Sequence, residues 1–248
     1  GSNDGVFLSP LKENGIKILG VDPAENLVNL ANSNGLETFH GYFDDKITDE
    51  IIASKGRADI VTAFNVFAHA DDLKSITKNV FKLLKSSGIF IIEVQYLLDT
   101  IKDLTFDNIY HEHVNYWSVN ALQFFFDSLD LKLEKVEHVN THGGSIRAFI
   151  SAKKEAETDS SVEDFIAKEK QFGLDNFATL KQFASSISDL KNTTNNKIKE
   201  LKSQGKSIVG YGSPAKATTV LNYYGINNES IDYIIEDNKL KHNRFLPG

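Results

Sequence analysis

Cysteine and methionine are both absent from the 248 residues, and proline occurs only four times. Without cysteine there is no disulfide and no thiolate metal site within these residues, so chemistry must rest on oxygen and nitrogen groups. No apolar run approaches the roughly 20 residues that a membrane-spanning helix needs, and no secretory signal opens the chain; the expected setting is the cytoplasm, with no membrane partner. Basic residues are also in deficit. Lys and Arg number 27 against 34 Asp and Glu, a net charge of -7. That balance argues against a nucleic-acid partner, because a phosphate backbone is held mainly by excess positive charge. A small phosphorylated ligand needs only a local basic pocket and is still allowed. The missing methionine and the abrupt start in Gly1-Ser2-Asn3-Asp4-Gly5 lead to the expectation of a fragment, since such a turn normally follows a buried strand.

What is present is an ordinary α/β pattern. With 41% hydrophobic residues, the chain can bury one full core and part of a second. Residues 17–22 read as a buried parallel strand, 24–34 as a helix, 36–39 as a weak strand and 58–65 as a strong one. Leu73, Ile76, Val80, Phe81 and Leu84 recur at helical spacing over 72–85, and 88–94 is the next strand. A helix near 119–129 then precedes strands at 131–139 and 145–152, joined by a turn short enough for a hairpin. Residues 155–204 read as a helical connector. From 205 to 248 a strand, a helix and a second strand begin another βαβ unit. The expected boundaries are therefore 1–154, 155–204 and 205–248.

In an open parallel sheet, ligands bind beyond the carboxyl ends of the strands. Gly1 to Gly5, with Asn3 and Asp4, and the acid Asp22 fall there, and a carboxylate at a strand end can accept hydrogen bonds from both hydroxyls of a ribose. A glycine turn with a capping Asp before Pro23 would look the same. NAD is the rival ligand, but the pair Asn3-Asp4 stands where its fingerprint G-x-G-x-x-G needs a second glycine. Phe43, in Gly41-Tyr42-Phe43-Asp44, and Asn65 lie at the next two strand ends, placed to flank an adenine and to bond polar groups.

Two of the seven histidines bracket a glutamate in Tyr110-His111-Glu112-His113. If the segment is extended, His111 and His113 face one way, Tyr110 and Glu112 the other. The group can be read as a metal site, although no third ligand motif accompanies it. It can be read as hydrogen-bonded loop histidines. It can also be read as an acid-base constellation, in which a near-neutral imidazole is the base and Tyr or Glu orients it.

These motifs, followed by His142-Gly143-Gly144-Ser145-Ile146-Arg147 and Gly210-Tyr211-Gly212-Ser213-Pro214-Ala215-Lys216, resemble in order and spacing the nucleotide-sugar C-methyltransferases. The resemblance runs along essentially the whole chain, with departures at Ala217 and over 239–243. It implies a class I S-adenosylmethionine (SAM) methyltransferase fold: a Rossmann-like, mostly parallel sheet that ends in an antiparallel hairpin, here without its first strand and with an open position beside Val21, plus a partial second Rossmann-like domain. It implies SAM as cofactor, with zinc only in an N-terminal domain outside these residues. The implied substrate is a TDP-linked 4-keto deoxysugar methylated at C-3, where methyl and carbanion must meet at about 3 to 3.5 Å. His113 is the implied base, supported by Tyr110 and Glu112, with His111 completing the group. His142, Gly143, Gly144 and Arg147 are expected to hold the sugar or a phosphate. Tyr211, Ser213, Lys216 and Arg244 are expected to hold the nucleotide, Lys216 at a helix N-terminus suited to anions. An O- or N-methyltransferase, or a non-catalytic nucleotide-sugar-binding protein, would share the fold.

Overall fold

The structure is a computed structural model that describes residues 1–153 and 157–247. The boundary expected at 154/155, and Gly248, lie outside the described residues. Two compact units emerge, each made of several chain segments: residues 1–94, 119–139 and 145–166 in the first, residues 95–118, 140–144 and 167–248 in the second. This partition differs from the three consecutive blocks expected from sequence. Strand ends and turns of the first α/β region belong with the C-terminal region, a grouping that contacts set and linear composition does not reveal.

In the first unit, β1 (Gly20–Asp22) pairs in parallel with β2 (Thr38–His40). A Cβ at position 20 would meet Ser2 Oγ and Thr38 Oγ1 at 2.6 Å, so any larger residue there would displace those side chains. The connecting α2 (Glu25–Ser33) buries Val28 and Ala31. Two helices come in addition to those expected. The short α1 (Leu8–Glu13) carries Pro10 in its first turn, where the missing N–H costs nothing. The longer α3 (Asp45–Lys55) starts where the Asp44 carboxylate accepts the Ile47 N–H at 2.9 Å. Its Ile47 and Ile51 pack against Leu83 at the end of α4 (Leu73–Leu83), with Val21, Phe39 and Phe43 around them. Each such buried side chain is worth about 1.5 to 3 kcal/mol of transfer free energy.

A four-stranded sheet in the order β3-β4-β6-β5 forms the rest of this unit. Strand β3 (Ala58–Phe64) runs parallel to β4 (Leu84–Gln95), and β5 (Lys132–Val139) runs antiparallel to β6 (Ser145–Ser151). The expected parallel sheet closing in a hairpin is thus present. Strand β4 starts at Leu84 rather than 88, because Ala58 already pairs there ahead of an irregularity in the ladder. Phe90, Ile92, Val94, Ile146, Ala148 and Ile150 are fully buried. α6 (Val119–Asp127) adds Phe126, which with Phe67, Phe90 and Phe125 makes an aromatic cluster at 5.1 to 6.2 Å between ring centroids. The β1-β2 pair and the four-stranded sheet are separate ladders among the described residues. On the side of β1 away from β2, the Gly1 amine and the Ser2 N–H both donate to the Val21 carbonyl.

The second unit contains α5 (Leu97–Lys102), a single 3-10 turn at Phe106–Asn108, the later part of α7 (Ser160–Phe172), the 27-residue α8 (Phe177–Ser203), and a βαβ element: β7 (Val209–Tyr211), α9 (Ala215–Tyr224) and β8 (Tyr233–Ile235). β7 and β8 are parallel. α9 is fastened to its own unit by Tyr224, whose ring stacks on Phe106 at 5.5 Å and whose carbonyl accepts from Asn195. Among the described residues no helix is long and apolar enough to cross a membrane. No group of three His, Cys, Asp or Glu among them could hold a metal ion.

Candidate active site

The carboxyl ends of β1, β2 and β3 lie in the first unit and carry the residues expected around the cofactor. The turn from Gly1 to Gly5 is pinned to β1: Ser2 N–H donates to Val21 O at 3.0 Å and Asn3 N–H to Asp22 Oδ2 at 2.8 Å. Asn3 adopts φ 56°, and Gly5 adopts φ 86° where a Cβ would come within 2.5 Å of Leu36 Cδ1. A side chain at position 5 would thus both strain the backbone and collide with a buried leucine. Asp4 accepts the Val6 N–H, and its own N–H donates to Asn3 Oδ1.

Asp22 is only 6% exposed, and its second oxygen accepts the Ala24 N–H at 2.9 Å. Each carboxylate oxygen therefore takes one backbone donor and keeps a second acceptor position, the number a ribose diol requires. Asn65, at the end of β3, has φ 55°, and its N–H donates to Glu93 O. Phe43 belongs to the apolar cluster around Ile47, whereas its neighbour Tyr42 is 77% exposed. An acid, two asparagines in left-handed backbone and a turn closed by a glycine that tolerates no Cβ form a set able to hold an adenosyl group.

Arg147 also lies in this unit. Its guanidinium donates to the buried Glu93 carboxylate at 2.8 Å and covers the Phe64 ring at 5.3 Å. Expected to hold a sugar or a phosphate, it instead joins β6 to β4 through a charge pair. A buried glutamate requires such a partner.

The Tyr110 to His113 motif lies in the second unit, and its geometry differs from the extended one expected. The His113 N–H donates to the Tyr110 carbonyl at 3.0 Å, which closes the motif into a turn. His111 and His113 therefore do not share a face. The His111 side chain is 84% exposed, and its Nε2 stands 3.8 Å from the exposed Glu112 carboxylate. His113 is 9% exposed, with its ring 4.5 Å from that of Tyr110. The Tyr110 hydroxyl donates to Glu112 Oε2 at 3.3 Å. Burial, then the Glu112 charge, push the Tyr110 phenol above its ordinary pKa, so it stays protonated at neutral pH.

His113 Nδ1 lies 2.9 Å from the backbone oxygen of Asn108. A carbonyl can only accept, so Nδ1 carries the proton, and the neutral ring has its basic lone pair on Nε2. Asn108 went unmarked in the sequence, where it is one polar residue in a loop. It is 2% exposed, and its side-chain oxygen accepts from Gln95 Nε2 at 3.2 Å and from Lys216 Nζ.

The turn at 140–144 belongs to the same unit. The Gly144 carbonyl accepts the Tyr96 N–H at 3.1 Å, and a Cβ on Gly144 would collide with the Asp99 carboxylate. His142, at φ 53°, and Gly143 continue the turn, with Thr105 Cγ2 beside Gly143. At the N-terminus of α9 the structure again differs from expectation. Ser213 donates both its N–H and its hydroxyl to Glu236, so the protein's own carboxylate fills the anion position. The cause is topological: β7 and β8 are parallel, so the residue after β8 meets the turn after β7. Those bonds, with one from Asn238 N–H, draw the Glu236 pKa down to about 2. Lys241 Nζ donates to the Ser213 carbonyl, Tyr211 OH to Asp237 and Arg244 Nε to the Leu240 carbonyl.

The methyltransferase-domain family matches residues 1–136, and the C-methyltransferase C-terminal-domain family matches residues 140–248. The C-methyltransferase NovU of Streptomyces niveus is 32% identical over 249 residues, covering 100% of this chain and 59% of NovU, so the chain spans about three fifths of that relative's length. A chain from the complex between the Haloferax volcanii Trm112 methyltransferase activator and a methyltransferase matches with a TM-score of 0.50 at 18% identity, over 61% of this chain and 80% of that one, which shows a common fold. Magnesium protoporphyrin IX methyltransferase (ChlM) from Synechocystis PCC 6803, with bound SAH, matches at 12% identity and a TM-score of 0.48, over 62% of this chain and 72% of that one. With the methyltransferase-domain family matching more than half of the chain, the chain belongs to that family, and its remaining part is similar to the C-terminal domain of C-methyltransferases.

Proposed function

We propose that this protein is a SAM-dependent C-methyltransferase that removes a proton from carbon 3 of a nucleotide-linked 4-keto deoxysugar and methylates the resulting carbanion. The observation that carries the reading is the bond from His113 Nδ1 to the Asn108 carbonyl, which sets the basic lone pair of a buried imidazole on Nε2. A neutral imidazole suits the removal of a proton acidified by a neighbouring keto group. Tyr110, protonated, would turn its one O–H from Glu112 to the oxygen on which charge develops. His142, Gly143 and Gly144 would receive the sugar, and Tyr211 and Arg244 the nucleotide. Asp22 would hold the cofactor's ribose, with Gly1, Asn3, Asp4, Gly5 and Asn65 around its polar groups. When bound there, SAM supplies an electrophilic methyl group.

The test is deuterium exchange. The intact protein, given a TDP-linked 4-keto deoxysugar in deuterated water without SAM, should exchange the C-3 proton. Methyl transfer with no such exchange would defeat the carbanion route.

A further inference from the structure

We infer that Lys216 is a positioning residue for the base: it holds Asn108, and Asn108 holds the His113 ring as its Nδ1–H tautomer. The inference rests on the reading of His113 as the base, and it gives Lys216 a role other than the anion contact its motif suggests.

The argument begins with acceptor counting. A carboxamide oxygen and a peptide oxygen each offer two lone pairs. Asn108 uses all four. Its side-chain oxygen takes Gln95 Nε2 and Lys216 Nζ, and its backbone oxygen takes His113 Nδ1 at 2.9 Å and the Tyr116 hydroxyl at 3.4 Å. At 2% exposure it has almost no access to water as a substitute. An asparagine so placed is a fixed node, and every donor on it is aimed by the others.

The node would be mobile without α9. It ends a single 3-10 turn, Phe106–Asn108, that is too short to hold itself. The last turn of α9 covers Phe106 with Tyr223 and Tyr224, at 5.4 and 5.5 Å between centroids. The first turn of α9 delivers Lys216 to Asn108. One helix of the C-terminal region therefore clamps both ends of the three-residue turn that aims the histidine. The ammonium contributes a charge-assisted bond to a neutral amide, roughly twice the strength of an ordinary one. At the helix N-terminus, meanwhile, Ser213 is occupied by Glu236 rather than by Lys216.

The experiment reads the imidazole itself. In the intact protein with 15N-labelled histidine, His113 should show a protonated Nδ1 and a pyridine-type Nε2 at neutral pH. Lys216→Met should move that signal toward the Nε2–H tautomer that free histidine prefers. Turnover should fall by roughly 10- to 100-fold, as expected of a displaced catalytic group, with little change in the KM for the sugar nucleotide, and Lys216→Arg should restore both signals. If Lys216→Met leaves the ring signal and turnover unchanged but raises KM, the lysine is a phosphate contact and the inference is wrong. Should the Met variant fail to fold, Lys216→Gln, which keeps a neutral donor, reads the same two signals. The ring signal needs no substrate: a protein that never exchanges the C-3 proton would overturn the proposed reaction while leaving this inference to be judged by the tautomer.

Discussion

Histidine 113 is defined by what its two nitrogens can do. One proton sits on Nδ1 because a carbonyl lies 2.9 Å away, and the lone pair is consequently on Nε2. His113→Asn keeps a donor of similar size for Asn108 but removes the proposed base. We expect sugar-nucleotide and SAM binding, measured by calorimetry, to survive, and turnover to drop at least ~10²-fold, the usual loss on removing a general base. A variant that retains turnover would move the base elsewhere. At this scale residue types are legible in the sequence but their directions are not. A run of four titratable side chains is visible in the letters Tyr110 to His113, yet which histidine is buried depends on the hydrogen bond from the His113 N–H to the Tyr110 carbonyl. Asn108 and Gln95 had no signal at all, since an asparagine saturated by four donors has the same letter as one in a solvated loop.

Among the elements, α3 shows how a legible helix is overlooked. Ile47, Thr48, Ile51 and Ile52 are β-branched, which favours strand over helix in a propensity reading. Their spacing and the acid before them say helix. Ile47 and Ile51 share a face four residues apart, and Asp44 caps the first turn. α4 and the β5-β6 hairpin were readable because burial and spacing agree there, and β3 was readable from its apolar run alone, since none of its residues is fully buried. The start of β4 was not, because Lys85, Ser86 and Ser87 are exposed and look like a loop, whereas backbone pairing of Leu84 with Ala58 makes them strand. The cap gives a clean test. Asp44→Ala deletes the acceptor for the Ile47 N–H while leaving the buried isoleucines in place. Stability measured by urea unfolding should fall by about 1 kcal/mol, with the m-value unchanged. No loss would mean that apolar packing alone fixes the start of α3.

For the molecule as a whole, the balance of -7 is not spread evenly in its consequences, because particular carboxylates are engaged by donors in the folded state. Asp232, bonded by Lys202 and Ser207, and Glu236, bonded by Ser213 and Asn238, both titrate below their ordinary range. Asp72 and Asp159 do the same through Ser75 and Ser161. A depressed folded pKa means that the unfolded chain takes up protons first. The stabilisation from Glu236 is therefore complete above its ordinary value of 4.5, shrinks as pH falls below it, and is gone once pH passes about 2. Acid should thus weaken the fold with a slope to which Glu236 contributes throughout that window. In Glu236→Gln the amide still accepts from Ser213 but has no proton to gain. We expect the variant to be less stable than the parent at pH 7, where the charged acceptor is lost, and the difference to close as pH falls from 4.5 toward 2. Urea midpoints measured across that range report it directly. A difference between parent and variant that stays constant with pH would show that the Glu236 carboxylate is not held in its charged form by the turn after β7.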